Sequence, residues 1–202
     1  MNHQSADNSI PEQKEGASTN TEDSIQLPEK EAEHFFSVVK ERLLNVNAWN
    51  KYAGEAGATF CLLDASGNPL KRIAAKGDYF EIDIPGPGSK AGEGNDFVQI
   101  EDVVEVNNEK EQSLSILVRP SQNPKNNSKD TAHFFSESAT SSFMVKKNGN
   151  KIIAGVYGRN EKPNFEASSI VDKIRNTIVA TGAVLGLSKI QWKSLVSGLL
   201  KK

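Results

Sequence analysis

The stretch Gly77 to Val106 constrains this chain most, because its alternation suits a strand and nothing else. Phe80, Ile82 and Ile84 are interleaved with Glu81 and Asp83, and beyond a loop Val98, Ile100, Val104 and Val106 keep the period of two. A half-buried sheet follows. Between the two runs lies the densest glycine loop of the chain, PGPGSKAGEG, with Gly86, Gly88, Gly92 and Gly94 beside Pro85 and Pro87. A phosphate-cradling loop needs a helix start directly after it, so that free amides and the dipole meet the anion. A strand follows here instead, so the loop reads as a long hairpin connection, with a flap over a pocket as the sharper alternative.

Further strands are expected on both sides of this pair. TFCLLDA (59–65), the turn Ser66-Gly67-Asn68-Pro69 and LKRIAAK (70–76) read as a hairpin. SLSILVRP (113–120) puts Leu114, Ile116 and Val118 on one face, and the polar run 121–130 reads as a solvated loop. HFFSESATSSFMVKK (133–147) and KIIAGVYG (151–158) flank Asn148-Gly149-Asn150, whose Asn-Gly step signals a hairpin. That makes about seven strands, mostly antiparallel.

Helices are expected at both ends. Pro28 suits a first helical position, Glu29, Glu31 and Glu33 favour the positive end of the dipole, and Ala32, Phe35, Phe36, Val39, Leu43 and Val46 follow helical spacing. Trp49 and Tyr52 extend this helix or form a short second one before Gly54 and Gly57. Asn164 or a nearby Ser caps a long helix carrying the stripe Ala167, Ile170, Val171, Ile174, Ile178 and Leu185. Gly186 ends it, and Ser188 caps a last helix whose inner face is Trp192, Leu195, Val196, Leu199 and Leu200. Residues 1–26 are polar and poor in large apolar groups, so they are expected to be a disordered acidic tail before a single α+β domain at 27–202.

Composition removes several function classes. With 24 basic against 26 acidic residues and a net charge of -2, the strongly basic surface of a nucleic-acid binder is missing. One cysteine, Cys61, excludes an internal disulfide framework, and the histidines at 3, 34 and 133 have no metal-ligand spacing. The N-terminus has neither a cationic start nor an apolar run and no transmembrane segment is evident, so a cytoplasmic location is the default. No cofactor, metal or catalytic group is implied.

The candidate ligand-binding residues are scattered. Trp49 and Tyr52 line a cavity or simply fill the core, and Phe80 lies on the buried side of the opening strand. Asp78, with Glu81 and Asp83 on the same strand, offers carboxylates for acid/base work or a hard cation, against the plainer reading of a solvated face. His133 stands near Ser136, Ser138, Thr140, Ser141 and Ser142, without the orienting carboxylate and oxyanion hole that a Ser–His relay requires. Tyr157, Arg159, Asn160 and Glu161 form a polar corner between an apolar strand and the long helix, where Arg159 either clamps an anion in its planar fork or pairs with Glu161. Cys61 reads as a small buried hydrophobe. The basic terminal helix with Lys189, Lys193, Lys201 and Lys202 reads as core, with a partner or membrane surface as the alternative.

The order of one helix, an antiparallel meander and a long C-terminal helix resembles, in layout alone, the helix-grip proteins of the START and Bet v 1-like superfamily over residues 28–187. Those proteins open with a strand, whereas residues 1–26 read here as non-strand. The resemblance implies a curved sheet wrapped on a helix with an apolar ligand between them. The leading expectation is therefore a non-enzymatic domain binding a small, partly apolar ligand between sheet and C-terminal helix. Its rivals are a protein-interaction module using the acidic tail and the basic terminal helix, and an enzyme of unknown reaction using Asp78, His133, Arg159 and Glu161.

Overall fold

The alternating segments pair with their neighbours in sequence, as antiparallel strands readily do, except that the first strand pairs with the last. In the computed structural model the described residues are 6–54, 58–83, 89, 91–108, 111–164 and 189–202. Among them, seven strands form one antiparallel sheet: β1 (Ala17–Gln26), β2 (Thr59–Leu63), β3 (Tyr79–Asp83), β4 (Asp96–Asn107), β5 (Gln112–Pro120), β6 (Thr140–Asn148) and β7 (Lys151–Glu161). Their spatial order is β1-β7-β6-β5-β4-β3-β2. The fold is α+β, as the alternation requires.

Helix α1 (Glu29–Leu44) lays Ala32, Phe35, Phe36, Val39 and Leu43 on the inner face of this sheet, where they meet Ile116, Val145, Ile152 and Ala154. After a short 3-10 turn, α2 (Trp49–Ala53) drives Trp49 into the same layer. The indole ring lies 4.7 Å from Phe143, 5.3 Å from Phe60 and 5.6 Å from Phe80, and its Nε1 donates to the Leu43 carbonyl at 3.0 Å. Such ring pairs add to simple area burial. Residues 189–199 are helical (α3), and Leu195, Val196 and Leu199 are buried in the same core. The Lys193 ammonium donates to the Glu22 carbonyl at 2.9 Å, and the Ser197 hydroxyl donates to Asp23, which ties α3 to β1.

Three expectations are corrected. The segment 17–26 is not a disordered tail: it is the edge strand β1, paired with β7 from Ala17↔Glu161 to Gln26↔Lys151. Its apolar content is low because its outward side faces water, while Thr19, Thr21 and Ile25 alternate toward the sheet interior, and backbone pairing does the rest. The run 70–76 is not a strand, and β2 pairs with β3 instead. Asp64 accepts the amides of Ser66 and Asn68 at 2.8 and 2.9 Å to close the turn, Leu70 donates to the Leu62 carbonyl, and the chain then leaves with Ile73 exposed. Residues 133–139 are irregular, and β6 starts only at Thr140. Asn164 Nδ2 donates to the carbonyls of Thr131 and His133 beside an isolated bridge, Phe135↔Pro163, in place of a continuous ladder. The long helix expected over 167–185, its end at Gly186 and most of the glycine loop at 84–90 lie outside the described residues.

Candidate functional site

A single extra residue in β7 creates the polar end of the site. Ala17 faces Glu161 while Thr19 faces Gly158, so two steps along β1 span three along β7. The surplus falls at Asn160, whose φ of 56° lies in the left-handed region that Asn tolerates better than most residues. Its side chain is held by the segment before β1: Oδ1 accepts from the amides of Lys14 and Glu15 at 2.8 and 3.1 Å, and Nδ2 donates to the Glu12 carbonyl at 3.2 Å. The Asn160 amide also donates to Gln13 Oε1 at 3.0 Å. This bulge resets the alternation, so Glu161 turns to the inner face, where an unbroken strand would have pointed it outward.

There the Glu161 carboxylate lies over Gly158, and a Cβ at that glycine would collide with it and with the Thr19 hydroxyl. Thr19 donates to Glu161 Oε1 at 3.0 Å. Glu161 is 8% exposed, and its Oε2 is buried without a hydrogen-bond partner. Burial pushes this carboxyl above its ordinary range, with the Thr19 bond and the Arg159 charge opposing.

Glu161 lines a cavity of about 40 Å³ between the inner face and α3. Its floor is apolar, made of Phe80, Ile82, Val98, Val118 and Phe143. Its polar side carries Thr19, Thr21, Ser141 and Glu161, while Lys189 and Trp192 stand in the wall from α3. The irregular run His133-Phe134-Phe135 closes another side, its first two rings stacked 4.4 Å apart. His133 Nδ1 accepts the Phe135 amide at 2.9 Å, which assigns the ring proton to Nε2, and burial holds its pKa near about 3, so the ring is neutral. A second buried carboxyl, Asp96, sits opposite Ile82 on the same face, with Oδ1 unpartnered. Burial raises it to about 7 despite the Phe134 amide.

Of the expected site residues, Phe80, His133 and Glu161 come together at this cavity. Trp49 lies in the packed core, and Tyr52 packs its ring 5.4 Å from the Arg42 guanidinium. Asp78 is engaged by the Arg72 fork at 2.6 and 2.7 Å and by the Ala75 amide at 2.9 Å. Tyr157 and Arg159 face the opposite side of the sheet from Glu161. Tyr157 donates to Glu22 Oε1 at 2.7 Å, and Arg159 Nη1 donates to Asn20 Oδ1 at 2.8 Å and the Gly158 carbonyl at 2.7 Å. The polar corner is thus split by the bulge: Asn160 anchors the N-terminal segment and only Glu161 enters the cavity. Among the described residues no three His, Cys, Asp or Glu side chains converge as a metal site.

Sequence reasoning missed Thr19, Thr21, Phe134 and Phe135, and it named Ser141 only as a neighbour of His133. The alternation of Thr19, Thr21 and Ile25 was a weak strand signal, hidden by the acidic and amide residues between them. No local pattern announces the bulge.

No protein-family model matches this chain, and no curated protein matches it in sequence. Among solved structures, a hypothetical protein from Helicobacter pylori is similar at 14% identity and a TM-score of 0.47, covering 91% of this chain and 88% of that one. A START superfamily protein from Mycobacterium smegmatis is similar at 8% identity and a TM-score of 0.34, covering 89% and 99%. A major latex-like protein from Panax ginseng is similar at 12% identity and a TM-score of 0.37, covering 84% and 96%. At these scores the likenesses say nothing about a ligand. No helix among the described residues is long and apolar enough to cross a membrane.

Proposed function

We propose that this chain is a binding domain for a small, partly apolar ligand, held between the inner face of the sheet and α3. The observation that carries this reading is the cavity's division into an apolar floor and a polar side with an unpartnered buried carboxyl oxygen. Empty apolar space forfeits dispersion contacts, and an idle buried polar atom keeps its desolvation cost, so a ligand with both characters relieves both. The volume of about 40 Å³ is room for about three waters, which sets the size of the group that enters without rearrangement. The interaction-module reading has less support, because β1 and the apolar face of α3 are both spent within the fold.

The test uses n-alkanols of increasing length as probes, read by the fluorescence of Trp192 in a Trp49→Phe background. A saturable change is expected, and it should disappear in Val118→Phe, whose ring fills the floor. Linear, unsaturable changes that Val118→Phe leaves untouched would remove the reading.

A further inference from the structure

The cavity contains a carboxyl group with which, among the described residues, no cation forms an ion pair. Thr19 satisfies Oε1, and Oε2 has nothing. Arg159, two residues before Glu161, is directed to the other face by the bulge and donates to Asn20 and to the Gly158 carbonyl. Lys162 is paired with Glu15 at 2.5 Å, and Lys193 with Asp23 at 3.4 Å. Lys189 lines the wall but is exposed and makes no ion pair with Glu161. His133 is neutral, and Asp96, on β4, adds a second acid and no counter-charge.

We propose that the cavity selects ligands with a primary ammonium head on a short apolar body, the head bonding Glu161 Oε2 and the body lying on Phe80, Val98 and Val118. This deepens the binding reading above and rests on it. An ammonium donates in three directions, and Glu161, Thr21 and Ser141, each with a side-chain oxygen that can accept, all line the cavity. A carboxylate head would face Glu161 as a like charge. A neutral alcohol would make the same bond without the charge, and charge-assisted bonds are roughly twice as strong. Precision comes from the backbone: the Asn160 bulge and Gly158 fix where the carboxylate lies, so the acceptor is in place before the ligand arrives.

The experiment compares n-butylammonium, n-butanol and butyrate by titration calorimetry between pH 5 and pH 8. The ammonium is expected to bind about tenfold more tightly than the alcohol at pH 8. That preference should shrink toward pH 5, because burial raises Glu161 and the protonated acid loses its charge. Glu161→Gln should abolish the preference, with the ammonium no longer bound more tightly than the alcohol. Equal binding of ammonium and alcohol, or tighter binding of butyrate, would overturn the ammonium assignment and leave the cavity reading standing. Binding of none of the three would overturn both. The comparison on the unaltered protein needs no variant, so it decides the matter even if Glu161→Gln fails to fold.

Discussion

The two ends of one sheet face differ in what fills them. Toward α1, Phe36, Val39 and Leu43 meet Ile116, Val145 and Ile152, with Trp49 alongside, in a close-packed layer. Toward the start of α3, the same strands β4 to β7 carry Val98, Val118, Ser141 and Glu161 around unfilled space. Among the described residues, the two buried carboxyl oxygens without a partner, on Asp96 and Glu161, lie at this second end. The sheet is continuous across both ends, so the difference arises from side chains and from one bulge. Stability concentrates where packing is complete, and the capacity to bind concentrates where it is not.

The largest effect should come from the packed end. Trp49→Ala removes the ring that meets Phe60, Phe80 and Phe143, and chemical denaturation should show a loss of about 3–5 kcal/mol. A loss under about 1 kcal/mol would erase the contrast between the ends. At the open end the leading effect is electrostatic. Asp96 rises from 3.8 to about 7 on folding, so its contribution is present below about pH 4 and is lost as pH climbs to 7, worth about 4 kcal/mol. His133 falls from 6.5 to about 3, so it acts with the opposite sign, and its contribution is lost as pH drops below 6.5. The two slopes oppose in the unaltered protein between about pH 4 and 6.5. Asp96→Asn keeps an oxygen for the Phe134 amide and should unmask a stability that rises with pH across that window; a profile parallel to the unaltered protein's would contradict the assignment. The smallest effect should be at the bulge. Asn160→Ala places a side chain without compensating bonds at φ 56° and frees residues 12–15, costing about 1–3 kcal/mol by denaturation. It should also weaken ligand binding, because Glu161 then loses its fixed position.

The packed end was legible in the sequence. Helical spacing in 32–46 and the apolar residues of β5 and β7 name the residues that pack there, since burial writes itself into apolar periodicity. The open end was legible only in part. Phe80, His133 and Glu161 were identifiable, but Glu161 was grouped with Arg159, which strict alternation places on the same face as Glu161. The bulge at Asn160 breaks that parity, and it depends on hydrogen bonds to residues 12–15, some 145 positions away. Strand β1 was missed for a related reason. An edge strand stabilised by backbone pairing needs few apolar side chains, so a composition rule for disorder misreads it. The strand total was the same either way, because the unformed strand at 70–76 was replaced by β1.

The central claim is that the open end receives a ligand and the packed end does not. A methyl-labelled protein titrated with n-butylammonium and followed by NMR tests it most directly. The predicted result is saturable shifts at Ile82, Val98 and Val118, with Ile116, Val145 and Ile152 unmoved. Shifts spread over both sets, or confined to the exposed Ile73 and Ile190, would contradict it.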